Sequence, residues 1–196
     1  MATTKGGDNY WISLSDIMTG LMVIFMFIAI SYIIEVQKKQ KQRDIIFEEF
    51  KATKEELYAE LKNEFKDDFK QWQVELDKDL SIKFTNPEVL FESGETTIRP
   101  YFASILDKFL PRYFNVLLQD KYKDKIAEIR IEGHTDTVPF YKYDKDPYIA
   151  NVVLSQLRAT EVLKYFRKMD YFKKLSTENK LRLQFLILHT ILLSLL

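Results

Sequence analysis

The sequence predicts a membrane protein in three parts: one N-terminal transmembrane helix, a helical linker, and a C-terminal two-layer α/β domain. Three observations predict this. Residues 12–34 form an apolar run with one charge. Residues 35–80 contain neither proline nor glycine, and their apolar residues recur mostly at steps of three, four and seven. From Ser81 onward, turn signals separate short strand-like segments from longer helix-like ones.

The run 12–34 would be about 34 Å long as a helix, enough to cross a bilayer. Residues 22–30 are apolar on every side, unlike the one-sided stripe of a helix at a soluble surface. A cleaved signal peptide would have a basic start, a shorter apolar core and a small-residue cleavage site. Here the start is MATTKGGDN, the run is long, and Glu35 and Lys38 follow directly, so an uncleaved anchor is expected. Asp16 is the lone charge inside the run. A carboxylate in hydrocarbon is expensive, and such residues usually serve an ion or proton path. Lys5 precedes the span, while Lys38, Lys39, Lys41 and Arg43 follow it. That count, taken alone, would put the C-terminal part in the cytoplasm.

In the linker, Phe50, Leu57, Leu61, Phe65, Phe69, Trp72, Leu76 and Leu80 make one apolar stripe on an amphipathic helix. A parallel coiled coil between two copies is the expected partner, and packing on the following domain is the alternative. Phe and Trp fit poorly as coiled-coil knobs.

Beyond Ser81, Ile82 and Phe84 alternate as a short strand, with turns at Asn86-Pro87 and Ser93-Gly94. Pro100 opens a helix carrying Phe102, Ile105, Leu106, Phe109 and Leu110, which Pro111 is expected to kink or end. Phe114, Leu117 and Leu118 continue an apolar face to Asp120. Ile126, Ile129 and Ile131 suggest a strand, and Asn151 starts a last clear helix through Leu154, Leu157, Val162, Leu163 and Phe166. The order β-α-β-α implies helices on one face of a sheet.

Lys+Arg and Asp+Glu both number 29, so net charge gives no reason to expect a nucleic-acid partner. There is no cysteine, hence no disulfide or thiolate metal site. Only five glycines occur and none builds a phosphate loop. His134 has no nearby partners at metal-ligand spacing and is expected to pack or hydrogen-bond at a strand end. No serine, histidine and acid are arranged for nucleophilic chemistry. No catalytic or metal residue, and no cofactor, is expected.

Polar residues do converge after Ile131. Thr135 and Asp136 lie in the loop, and Asn151, Ser155 and Arg158 share one face of the following helix. The guanidinium fork suits a carboxylate and Asp136 can accept from an ammonium group, so a ligand bearing both would match. Two other readings stand beside this one: Asp136 and Arg158 pair with each other, or Asn151 and Ser155 cap the helix.

Ile131-Glu132-Gly133-His134-Thr135-Asp136, then Asn151, then Leu154-Ser155-Gln156-Leu157-Arg158-Ala159, resemble the peptidoglycan-binding domain of the OmpA/MotB family. Phe91, Gly94, Ile98 and Pro100 resemble its upstream F-x-x-G-x-x-x-I-x-P signature, and the match covers about residues 80–168. The resemblance implies an OmpA-like two-layer α/β domain. It also implies that Asp136 and Arg158 hold the amino and carboxyl groups of diaminopimelate in the wall stem peptide, with Thr135 and Asn151 in support.

Trp11, Asp16, Met18 and Thr19 similarly resemble the W-x-x-x-x-D-x-M-T segment of MotB-like stator subunits, most closely the ZorB family of Zorya anti-phage systems. That resemblance implies a proton-translocating Asp16 supported by Thr19, with protons as the coupling ion. It further implies a dimer of this chain inside ZorA/MotA-like membrane subunits, five around two copies, with cytoplasmic effectors contacted indirectly. A wall-binding domain lies outside the inner membrane, so residues 1–11 would be cytoplasmic and 12–34 would span. Residues 35–80 would be a periplasmic dimerisation linker and 81–196 the wall-binding domain. This orientation opposes the Lys/Arg count. The rival functions are an ordinary flagellar or TolR/ExbD-like stator, and a non-motor tether from envelope to wall.

Two departures from the family pattern stand out. Residues 137–150 form a longer insertion than usual, rich in Tyr, Lys and Asp, placed to cover or alter the ligand pocket. After the second helix the family continues with a strand and a glycine-bearing loop, whereas residues 183–196 are mostly apolar, as in a truncated or frame-altered end. Leu181, Leu183 and Phe185 alternate as one more strand would.

Overall fold

A computed structural model describes residues 7–86, 90–135 and 138–193. The chain divides into two compact units, Met1–Ala52 and Thr53–Leu196.

The first unit is helical. Helix α1 is Gly7–Glu64, and its residues up to Ala52 belong to this unit. Among the described residues it is the one helix long and apolar enough to cross a membrane, which supports a single-pass topology. Side chains from Leu14 to Phe50 are all exposed, as expected of a helix whose surroundings are lipid or other chains. Past the apolar run, Glu35 and Lys39 pair at 2.8 Å across one helical turn, which fits a watery flank.

The second unit is an α/β domain with an open sheet, and the end of α1 is built into it. Leu57 and Leu61 are buried, Leu61 at 1% exposure, and Phe65 just past the helix end is fully buried at 0%. Arg112 holds this end in place. Its Nε donates to Glu64 Oε1 at 2.7 Å, its Nη1 to Asp68 Oδ2 at 2.6 Å, and its Nη2 to the Glu64 carbonyl. The guanidinium also lies 4.6 Å from the Phe65 ring centre, a cation–π contact.

A short helix α2, Asp68–Trp72, follows and stops at Gln73, whose φ of 54° is left-handed. The chain then turns into β1, Val74–Leu76, which pairs antiparallel with β2, Ile82–Phe84, in the register Val74↔Phe84 and Leu76↔Ile82. Phe84 packs edge-on against Phe102 and Phe109 of helix α3, Pro100–Leu117, so α3 covers this small sheet. Helices α4, Pro147–Lys168, α5, Asp170–Lys174, and α6, Thr177–Leu193, complete the unit. Phe114 of α3 stacks on Phe166 of α4 at 4.4 Å, and Leu183, Leu186 and Ile187 of α6 enter the same core.

Several expectations change. The linker stripe is not one helix to Leu80: it breaks at Glu64, and its residues from Leu57 onward pack on the domain. Pro111 does not end α3, because Phe109, Leu110, Phe114 and Leu117 bury a continuous face on both sides of it. Residues 126–131 form no paired strand. Ile129 is buried and Ile126 and Ile131 pack on the core, but no neighbouring strand ladders with them among the described residues. Leu181, Leu183 and Phe185 are not a strand either. The buried set is 183, 186 and 187, at helical spacing, while Leu181 and Phe185 face out. The helix bearing Asn151 begins earlier, at Pro147, and two helices follow it.

Candidate functional site

The site is organised by one turn. Glu92, Ser93, Gly94 and Glu95 form a β-turn closed by Glu95 N donating to Glu92 O at 3.0 Å. Gly94 adopts φ 68°, where a side chain is strained. The flanking Phe91 and Ile98 bridge antiparallel, and Arg99 N donates to Leu90 O at 3.0 Å, so residues 90–99 make a tight loop leading into α3. The F-x-x-G-x-x-x-I-x-P pattern is thereby explained position by position, since Phe91 and Ile98 bridge, Gly94 turns the chain, and Pro100 opens α3.

Into this turn points Arg158 of α4, buried at 8% exposure. Its Nε donates to Glu95 O at 3.0 Å, its Nη2 to Glu92 O at 3.1 Å, and its Nη1 to His134 O at 3.4 Å. Its guanidinium stands 5.1 Å from the centre of the Phe91 ring. A buried cation is costly without such partners. Here carbonyls from two separate loops hold the fork in one plane, a geometry that lysine cannot reproduce.

The loop between the 126–131 segment and α4 is tied at two points. His134 O accepts from Arg158, and Val138 O accepts from Asn151 Nδ2 at 3.0 Å. Thr135, half-buried, lies between these ties, while Asp136 falls outside the described residues. Gly133 allows the close approach: a Cβ there would collide with the Ser155 carbonyl on α4. Ser155 turns its own hydroxyl onto Val152 O at 2.8 Å. Neither it nor Asn151 caps α4, since Asp146 does so by accepting from Tyr148 N at 2.9 Å. The His134 ring contributes no packing. It is 84% exposed, with Glu132 Oε2 3.6 Å away, and the useful group is its main-chain carbonyl. Among the described residues no group of three or more His, Cys, Asp or Glu could hold a metal ion.

In the first unit, Asp16 and Thr19 lie three residues apart on α1, hence on one face. The Thr19 hydroxyl donates to Ser15 O at 2.8 Å. With its proton spent on the backbone, this hydroxyl offers lone pairs beside Asp16.

A family model described as the OmpA family matches residues 90–183, a stretch containing the turn, both loop ties and Arg158. The chain is also 41% identical over 164 residues to the Zorya protein ZorB of Escherichia coli strain ATCC 8739, covering 82% of this chain and 69% of that protein. The chain belongs to the ZorB family.

Within this ZorB-family chain, Arg158, Asn151 and Gly94 are legible from sequence, but what holds Arg158 is not. The carbonyls of Glu92, Glu95 and His134 are main-chain groups that every residue carries, so residue identity gives no sign of them. Phe91 stands out in the sequence only as a motif position, and its ring against the guanidinium follows from the fold. The ion pair of Lys142 Nζ with Glu95 Oε1, at 2.7 Å, has no sequence signal across its separation of 47 residues.

Proposed function

We propose that this protein is the proton-conducting stator subunit of a Zorya-type motor, anchored to peptidoglycan and coupling the proton gradient to rotation of a ZorA/MotA-like ring in anti-phage defence. The observation that carries the proposal is Asp16, the one charge in the apolar span of a ZorB-family chain. Protons entering down their gradient neutralise Asp16 and leave on the cytoplasmic side. Neutralisation removes the cost of a buried carboxylate and changes how the helix packs against its neighbours. Thr19, with its donor already used on Ser15, accepts from the protonated acid or from a passing water. Two copies of the chain offer the ring two equivalent sites between which to step, with five ring subunits around the pair.

Rotation requires that these two copies stay still. Wall binding supplies the anchor: Arg158 takes the stem-peptide carboxylate and Asp136 its ammonium group, with Thr135 and Asn151 shaping the loop between them. The planar Arg158 guanidinium supports this role, because three main-chain carbonyls fix its orientation before any ligand arrives. Orientation follows, with Met1 in the cytoplasm and the Thr53–Leu196 unit in the periplasm. Residues just past the span in the helix, including Phe50, serve contact between the two copies.

Co-sedimentation of the full chain with purified sacculi tests the anchor. Wild type should pellet with the wall and Arg158→Ala should stay in solution, whereas an Arg158→Ala protein that pellets normally contradicts the assignment. A reporter active only in the periplasm, fused after Leu196, should be active, and a silent fusion paired with an active cytoplasmic one contradicts the orientation.

A further inference from the structure

We infer that Glu95 and Lys142 are positioning residues for the Arg158 site, their ion pair strapping the inserted segment 138–146 to the turn whose carbonyls grip the guanidinium. The inference rests on the wall-binding reading of that site and adds two residues and a role for the insertion.

Glu95 is the junction. Its main-chain carbonyl accepts from Arg158 Nε at 3.0 Å, while its carboxylate accepts from Lys142 Nζ at 2.7 Å. One residue thus joins the buried cation to the insertion. A second contact links the same two parts: the Phe140 ring lies where a Gly94 side chain would be, with Cε2 2.7 Å from an ideal Cβ. Phe140 also meets Tyr143 edge-on at 5.6 Å, so the middle of the insertion has packing of its own. Its two ends are secured by different groups, Val138 O by Asn151 and Asp146 by capping α4. The segment is therefore fastened at the start, middle and end, and the middle fastening falls on the turn that sets Arg158.

Both side chains of the pair are about half exposed, at 47% each, so its direct strength is modest. Its effect lies in preorganisation. A segment held against the 92–95 turn keeps the Glu92 and Glu95 carbonyls in place, and a ligand then meets an Arg158 fork that needs no ordering. Losing the pair leaves Phe140 as the middle contact, and the loosened middle of the segment then spends binding energy on being held again.

The test uses the full chain in detergent, titrated with a soluble disaccharide–tripeptide fragment containing diaminopimelate. Lys142→Ala and Glu95→Gln should each weaken binding by about two- to fivefold, with an unchanged unfolding midpoint. The charge-exchanged double variant, Glu95→Lys with Lys142→Glu, should return to within about twofold of wild type, a recovery that loss of folding does not give. Wild-type affinity in both single variants, alongside lost binding in Arg158→Ala, overturns the inference and leaves the site reading intact. A double variant as weak as the singles also overturns it. Normal binding by Arg158→Ala instead removes the site reading and this inference with it.

Discussion

Arg158 and Asp16 are both charges placed where charge is expensive, and they differ in what surrounds them. Arg158 is surrounded by fixed carbonyl dipoles and an aromatic face, so it is set for one geometry. Asp16 lies in an apolar span, three residues before Thr19 on one helix, a setting that suits the proposed exchange between charged and neutral forms. The turn that orders Arg158 depends on Gly94. An alanine there meets both the left-handed backbone at φ 68° and the Phe140 ring. Gly94→Ala should therefore destabilise the C-terminal unit by about 1–2 kcal/mol. Chemical denaturation of the full chain, following Trp72 fluorescence, measures this, and an unchanged midpoint would show that the turn adapts at no cost.

The elements show where an apolar pattern in the sequence is read correctly and where tertiary context decides. The stripe from Phe50 to Leu80 is legible as apolar at helical spacing, yet spacing cannot say which partner covers it. Leu57, Leu61 and Phe65 belong to the domain core, whereas Phe50 is 61% exposed. Phe65→Ala should thus cost the domain about 3–5 kcal/mol, and Phe50→Ala no more than about 0.5 kcal/mol. Phe50→Ala should weaken self-association instead. Equal losses of domain stability would mean that the stripe is one unit after all.

The same end of α1 is clipped to the turn after α3. Lys121 Nζ donates to Glu56 at 2.9 Å and to Glu60 at 2.6 Å, while the Tyr122 hydroxyl and Gln119 also donate to Glu60. The Lys121 hydrogen bond, chiefly, holds the Glu60 carboxyl below its ordinary value of 4.5. Because the folded value is depressed, this stabilisation is present above the ordinary value and is lost as pH falls through the lowered one. Unfolding midpoints of wild type and Glu60→Gln, compared across pH, should differ at pH values above the ordinary carboxylate range and converge only as pH falls through the lowered Glu60 value. A gap that persists in acid would contradict the role given to this carboxylate.

At the scale of the whole molecule, the three-part order of span, helical region and α/β domain is readable because each part has its own texture of charge and period. The two segments that read as strands and are not, 126–131 and 181–185, have apolar alternation that also fits other structures. A strand exists only when a neighbour completes its ladder, and helical packing of 183, 186 and 187 supplies burial without one. Pro111 reads as a kink or an end from local chemistry alone, and it is not an end, since α3 continues to Leu117 with buried residues on both sides of it. The site is legible to the extent that side chains define it, and the rest lies in backbone carbonyls that only the fold brings together.

Two charges, in separate units of one chain, give the protein its proposed work: Asp16 takes the proton and Arg158 holds the wall. The most direct measurement of that work is proton flux through the assembled complex of this chain with its ZorA/MotA-like ring, reconstituted in vesicles under an imposed pH gradient. Wild type should conduct, and Asp16→Asn, which keeps the shape but cannot lose or carry the proton, should reduce the flux to that of empty vesicles while the complex still assembles. An Asp16→Asn complex that conducts like wild type would contradict the proton path and leave a tether in place of a motor.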